Sequence, residues 1–427
     1  MTTCRRSTLS LVSAFVLSNL ISPPLLAQVP TSSSSTSGPP PTAEVVHFWI
    51  SQSESKALDV YRRSWRDQGG VWHDEPAKDK ASELKALSER MVNGYPPTVM
   101  QWHANEGSKE LPTMGVVQDI DDLATAEHWR DFLPKNVVDL ISYNGKIYFA
   151  PVAIHAENWL WTSTAIFDRL RLPQPTSWDD VFESAAKIKA AGYIPISLGS
   201  QPWEISLVFN DIIFSVYGAN GYKRLMGANG AHAAMEPAML TALRIFRRLS
   251  SYVTPARTGK SWAQAALDVG KGRAAMQFMG DYAKGELTNA GLAVDKDFRC
   301  QLVPGTESTY FIVIDAFAFP NTNDKSVRNS QLAFARTLMN KKNQLAFNNL
   351  KGSIPVRTDI LSETLDRCGK IGLDLISSRN RQVSAQSMIM PSQMSQGWID
   401  IVVDYFNNPK SSALSTQRRL AELLSQR

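Results

Sequence analysis

Carboxylates set beside aromatic rings recur along this chain, and the densest case is Gln277–Leu287, QFMGDYAKGEL. An apolar approach, Ala274–Met279, breaks at Gly280, after which Asp281 reads as a helix N-cap with Tyr282 beside it. A carboxylate and a ring meeting at a strand-to-helix turn suit holding a polar ligand more than transforming one. Other polar clusters, most of them with aromatic rings, stand at FWISQSES (Phe48–Ser55), NGYPPTVMQWHA (Asn93–Ala104), PVAIHAENWLW (Pro151–Trp161) and LKGSIPVRTD (Leu350–Asp359). Each follows a strand-like run, where open α/β sheets place their ligands. Trp49 and His155 occupy such positions, and Trp203 follows the turn LGSQP. The alternative for Trp203 is a core anchor, and for His155 a satisfied buried histidine. Asp315 lies inside the apolar run FIVIDAFAF, where burial demands a partner; Lys351 or a ligand hydroxyl would serve.

The catalytic readings are thin. Glu54 and Asp315 could act as acid and nucleophile of a secreted glycosidase, but no paired-carboxylate motif supports them. The six histidines show no metal-ligand spacing, no GxSxG occurs, and no cofactor motif is present. Removal of a leader carrying Arg5 and Arg6 leaves a net charge of about +3, too balanced for a nucleic-acid partner.

The elements that position these residues read as follows. Arg5, Arg6 and the apolar run Leu9–Leu26 predict an export signal cut near Ala27 (residues 1–27), and a Ser/Pro-rich linker follows (28–42). No later segment is long enough to embed the chain in a membrane. Strands are expected over Val45–Ile50 and Thr98–Gln101, with helices over Ser55–Asp67 and Lys80–Val92 between them, a βαβ unit. Further strands are expected at Lys146–Pro151 (after the Asn144-Gly145 turn), Trp159–Trp161, Tyr193–Leu198, Ala274–Met279 and Phe311–Phe319. Helices are expected at Ser177–Ala191, Ser261–Lys271, Asp281–Ala290, Ser326–Asn340 and Thr416–Leu424. The order implies an α/β protein of two lobes, each an open sheet flanked by helices. Cys300 and Cys368 are an even pair in an exported chain, so a disulfide or two separate buried thiols are the readings.

The motif set, in order from Val45 to the C-terminus, resembles the periplasmic sugar-binding proteins of ABC importers. Within the extracellular solute-binding family 1 it is most similar to the glucose/mannose-binding branch. NGYPP, MGDYAKG, LKGS and the two cysteines are the specific elements. The resemblance implies the two-lobed periplasmic-binding-protein fold with a ligand cleft between the lobes. Residues 43–151 and 309–355 would form the N-terminal lobe, and 152–308 and 356–427 the C-terminal lobe. It further implies a monomer that closes by hinge motion on a small sugar and presents it to membrane permease subunits, without catalysis.

Residue by residue, Trp49 matches an aromatic that packs on the sugar and Glu54 a carboxylate that accepts its hydroxyls. Gln101 and His103 match polar contacts after the second strand, and Trp262 and Tyr282 stand where relatives use tryptophan. Asp315 matches a carboxylate at the inter-lobe crossing, Lys351 the lysine donor, and Cys300–Cys368 a disulfide. Sugars suit such a set: their C–H faces take aromatic rings, and their hydroxyls take carboxylates, amides and ammonium groups. Two departures stand out. DEPAKDKASEL (Asp74–Leu84) replaces a glycine-rich loop, so Lys78 or Lys80 would intrude there, and Gln386 replaces a histidine.

Overall fold

The computed structural model describes residues 39–426, apart from 79, 255–256, 361–364 and 379–380. The export signal and most of the linker (28–38), with the side chain of Lys80, therefore lie outside the described residues. Twelve strands are present among them: β1 (Thr42–His47), β2 (Val71–Pro76), β3 (Val99–His103), β4 (Ser142–Tyr143), β5 (Lys146–Ile147), β6 (Phe149–Ala156), β7 (Trp159–Ser163), β8 (Ile194–Ile196), β9 (Ala274–Phe278), β10 (Phe298–Leu302), β11 (Tyr310–Ala318) and β12 (Gln382–Ser384).

The first sheet has six strands, ordered β12-β11-β3-β1-β2 with β6 also on β11. Its β1, β2 and β3 run parallel, as the strand-helix alternation predicts, and β11 runs antiparallel to β3 and β6. The register places β6 along one edge of β11. The opposite edge is shared end to end by β12, opposite Tyr310–Ile312, and β3, opposite Asp315–Ala318. Every residue of β11 and of β6 is buried, as mostly apolar runs covered on both faces should be. The second sheet is β10-β7-β9-β8. Chain passes between the sheets at Glu157-Asn158, between β6 and β7, and again between β10 and β11.

Local chemistry explains most element ends. Asn144 and Gly145 both adopt positive φ (48° and 79°), which the tight β4–β5 hairpin requires. Helix Trp178–Ala190 starts at the Ser177–Asp180 capping box. Helix Gln52–Asp67 begins three residues before the periodicity predicts, because Ser51 and Glu54 form a second capping box. It buries Ala57, Leu58, Tyr61 and Trp65 on one face. Trp129, Trp178 and Trp398 are core residues as well. The glycine-poor run Asp74–Leu84 does not remain a loop: it completes β2 and leads into helix Lys80–Val92, with Lys78 exposed. Asp74 is spent on its neighbours Trp72 (2.9 Å), Arg62 (3.0 Å) and His47 (3.2 Å). Cys300 and Cys368 form a disulfide, with Cα atoms 6.1 Å apart, tying β10 to helix Arg367–Ile376.

Candidate binding site

Strands β3, β6 and β11 lie side by side, and their register brings three predicted residues together at one place. Asp315 pairs in register with His103 on β3, and its carboxylate meets both flanking imidazoles. One oxygen lies 3.1 Å from His103 Nε2 and the other 3.1 Å from His155 Nε2. His155 Nδ1 continues the line to Asp281 at 2.5 Å. Asp281 also accepts from the backbone N–H of Ala156 (3.1 Å) and from Tyr310 Oη (3.4 Å). The line His103–Asp315–His155–Asp281 thus crosses from the first sheet to the turn after β9 in the second. Burial works against charge on His155, but the Asp281 and Asp315 carboxylates outweigh it and raise the imidazole to about 9. Burial likewise opposes the Asp315 carboxylate, which His103 and His155 nevertheless hold well below the usual range.

Two expectations need correction here. Asp281 does not cap its helix: the residue sits in the αR region and its side chain makes no cap bond, because His155 and Ala156 claim both oxygens. Lys351 is not the partner of Asp315. It binds Glu54 Oε1 at 2.7 Å, while the second Glu54 oxygen accepts from Ser51 N–H in the capping box.

Beside the polar line stands an aromatic group. The Tyr282 ring centroid lies 5.0 Å from Trp262, 5.6 Å from His155 and 6.3 Å from Trp203, all at steep interplanar angles. Trp203 is not a core anchor; it remains 37% exposed at the start of helix Pro202–Leu225. Trp49 is placed otherwise. Its ring is buried against Phe317 (5.6 Å) and Phe347 (5.5 Å), with Lys351 Nζ 4.9 Å from its centroid, so it packs the first core and braces the lysine. Gln101 is fully buried on the face shared with His103. Its Oε1 accepts from Phe48 N–H at 3.4 Å and its Nε2 has no partner. Gln386 is occupied locally, donating to Ser395 Oγ at 3.1 Å and approaching Met390 Sδ at 3.0 Å.

Two further buried carboxylates are informative. Glu204 is fully buried, and burial pushes it up to about 8. Glu286 is 3% exposed and accepts from Ser53 Oγ (2.5 Å) and Ser53 N–H (3.0 Å). Sequence reasoning missed Ser53, Tyr310 and this use of Glu286. A small polar residue inside a capping box was the available signal for Ser53, whereas the other two depend on long-range packing. Among the described residues no group of histidine, cysteine and carboxylate side chains is arranged to hold a metal ion.

Residues 81–344 match the family described as bacterial extracellular solute-binding protein. The chain belongs to this family. Members are binding proteins, not enzymes, that work outside the cytoplasmic membrane. A Brucella suis biovar 1 protein named "probable sugar-binding periplasmic protein" is 31% identical over 86% of this chain and 89% of its own length. A protein of the same name from Rhizobium meliloti is 30% identical over 90% of this chain and 92% of its own length. A solved chitin oligosaccharide binding protein shares 17% identity at a TM-score of 0.76, over 90% of this chain and 98% of that one, which establishes the fold. The two-lobed α/β fold of solute-binding proteins is therefore the fold of this chain. No described helix is long and apolar enough to cross a membrane. The glycosidase reading is not supported, because the family and the similar relatives are binding proteins.

Proposed function

We propose that this protein binds a small sugar, of the glucose/mannose type or a related mono- or disaccharide, in the periplasm. It closes its lobes around the sugar and hands it to the permease subunits of an ABC importer, acting as a monomer. The observation that carries the reading is the polar line His103–Asp315–His155–Asp281, which lies at the strand crossing directly beside the ring of Tyr282. Vicinal hydroxyls suit fixed carboxylates and imidazoles, and an apolar sugar face suits the Trp203–Tyr282–Trp262 group. Gln101, with an unpartnered buried amide nitrogen, supplies a further donor. Glu54 and Lys351 act as a pre-paired couple that a hydroxyl can enter. The names of the relatives point the same way.

Calorimetric titration with a panel of hexoses, pentoses and disaccharides tests the reading. One or more members should bind with a single site per chain, and aryl-glycosides should show no turnover. If no sugar in the panel binds, the sugar assignment falls.

A further inference from the structure

Helix Tyr282–Asn289 follows β9 and packs on helix Trp262–Gly270 of the second sheet, and it also reaches the first lobe: Tyr282 at His155, and Gly285, Glu286 and Asn289 further along. Glu286 receives two hydrogen bonds from Ser53, in the opening turn of helix Gln52–Asp67. Asn289 Nδ2 donates to Leu350 O at 2.9 Å, and Lys56 Nζ donates to Asn289 O at 3.4 Å. Gly285 approaches the end of helix Lys341–Lys351 so closely that a Cβ there would meet Lys351 O at 2.5 Å. The same opening turn that gives up Ser53 carries Glu54, the partner of Lys351. These four contacts lie within one stretch of helix, at positions 285, 286 and 289, and use polar groups or bare backbone. Leu287 packs beside Gly270 and, with Ala283, joins the apolar core that also holds Trp49 and Phe347.

The geometry points to Glu286 as a latch residue: it joins the second lobe to the Glu54-bearing turn of the first when the lobes close, and thereby sets how long the ligand is held. A contact that opens repeatedly is best carried by polar groups, because parting an apolar one exposes oily surface at every cycle. Here both partners can be solvated when apart: the Ser53 N–H is a helix-terminal donor open to water, and Glu286 is a carboxylate. When together, the carboxylate takes two charge-assisted hydrogen bonds at a positive helix end. Glu286 is a positioning residue, acting through the α-helical turn and not on the ligand.

The test uses Glu286→Gln and Ser53→Ala in chains that also carry Cys4→Ser and spin labels at Lys85→Cys and Glu183→Cys, both exposed and on opposite lobes. Inter-label distances in unliganded protein should shift toward the longer population in both variants, by about tenfold in the closed-to-open ratio. For any sugar that binds the wild type, release should quicken about tenfold while association changes little. The double variant should add little to Glu286→Gln alone, since both break one contact. Distances and release rates unchanged in both variants would overturn the inference, showing that these helices stay joined throughout the motion. If Glu286→Gln fails to fold, Ser53→Ala decides alone. This inference rests on the two-lobe binding reading; if the wild type binds no sugar, the sugar assignment fails, and the distance measurement still judges the latch.

Discussion

His155 is held as a cation by two carboxylates, and that makes it both a support and a liability. Replacing it with glutamine leaves Asp281 and Asp315 facing one another without a charge between them. The loss of stability should be about 3–5 kcal/mol, read by urea unfolding. Its folded value, about 9, lies above the value of 6.5 in the unfolded chain. The stabilisation is therefore fully present below pH about 6.5 and is lost as pH rises through about 9. Melting temperatures from pH 6 to 10 should fall on the alkaline side in the wild type, and a His155 variant should lack that share of the slope. Trp49 and Trp203 separate two roles that sequence could not tell apart. Trp49→Ala should cost about 3–5 kcal/mol of unfolding free energy, because a fully enclosed ring leaves a cavity. Trp203→Ala should leave stability nearly unchanged and weaken sugar binding by about 1 kcal/mol, measured by titration. A Trp203 variant with wild-type affinity would remove that ring from the site.

At the scale of elements, the decisive piece is the Tyr282–Asn289 helix. Gly285→Ala places a methyl group against the Lys351 carbonyl and should cost about 1–3 kcal/mol, seen in unfolding or, if the helices part instead, in longer inter-lobe distances. Most strands and helices were legible because their signals are local: the Asn144-Gly145 turn, the Ser177 cap, and the one-sided apolar spacing of Leu58, Tyr61 and Trp65. The failures have physical reasons as well. Strand β2, VWHDEP, carries few apolar residues and an exposed edge, so nothing in it marks a strand beyond its pairing with β1. Helix Pro202–Leu225 is buried all round its first half, with Glu204, Ser206, Asn210 and Asp211 scattered among apolar residues, so no face stands out to betray its period. Asp281 looked like a cap because it precedes a helix. A stronger partner, His155, lies 126 residues away and is invisible to any local rule.

Over the whole molecule, the disulfide spans 68 residues and ties β10 to the helix Arg367–Ile376. Exchanging both cysteines for serine should lower stability by about 4 kcal/mol on the chain-entropy model, measured by denaturant unfolding in the absence of reductant. Sequence alone determined the α/β class, the two-lobe order of elements, the even cysteine pair, and which stretches carry ligand-type side chains. Those follow from periodicity, turn chemistry and motif order, all written along the chain. Only the tertiary structure decided who meets whom. Lys351 went to Glu54 and not to Asp315, Asp315 went to two histidines, Trp49 went to the core, and Glu286 reached across to Ser53. The physical reason is register and lobe placement. A buried charge accepts whichever partner the sheet edge and the crossing helix bring within about 3 Å, and that distance is set by contacts more than a hundred residues apart in the chain.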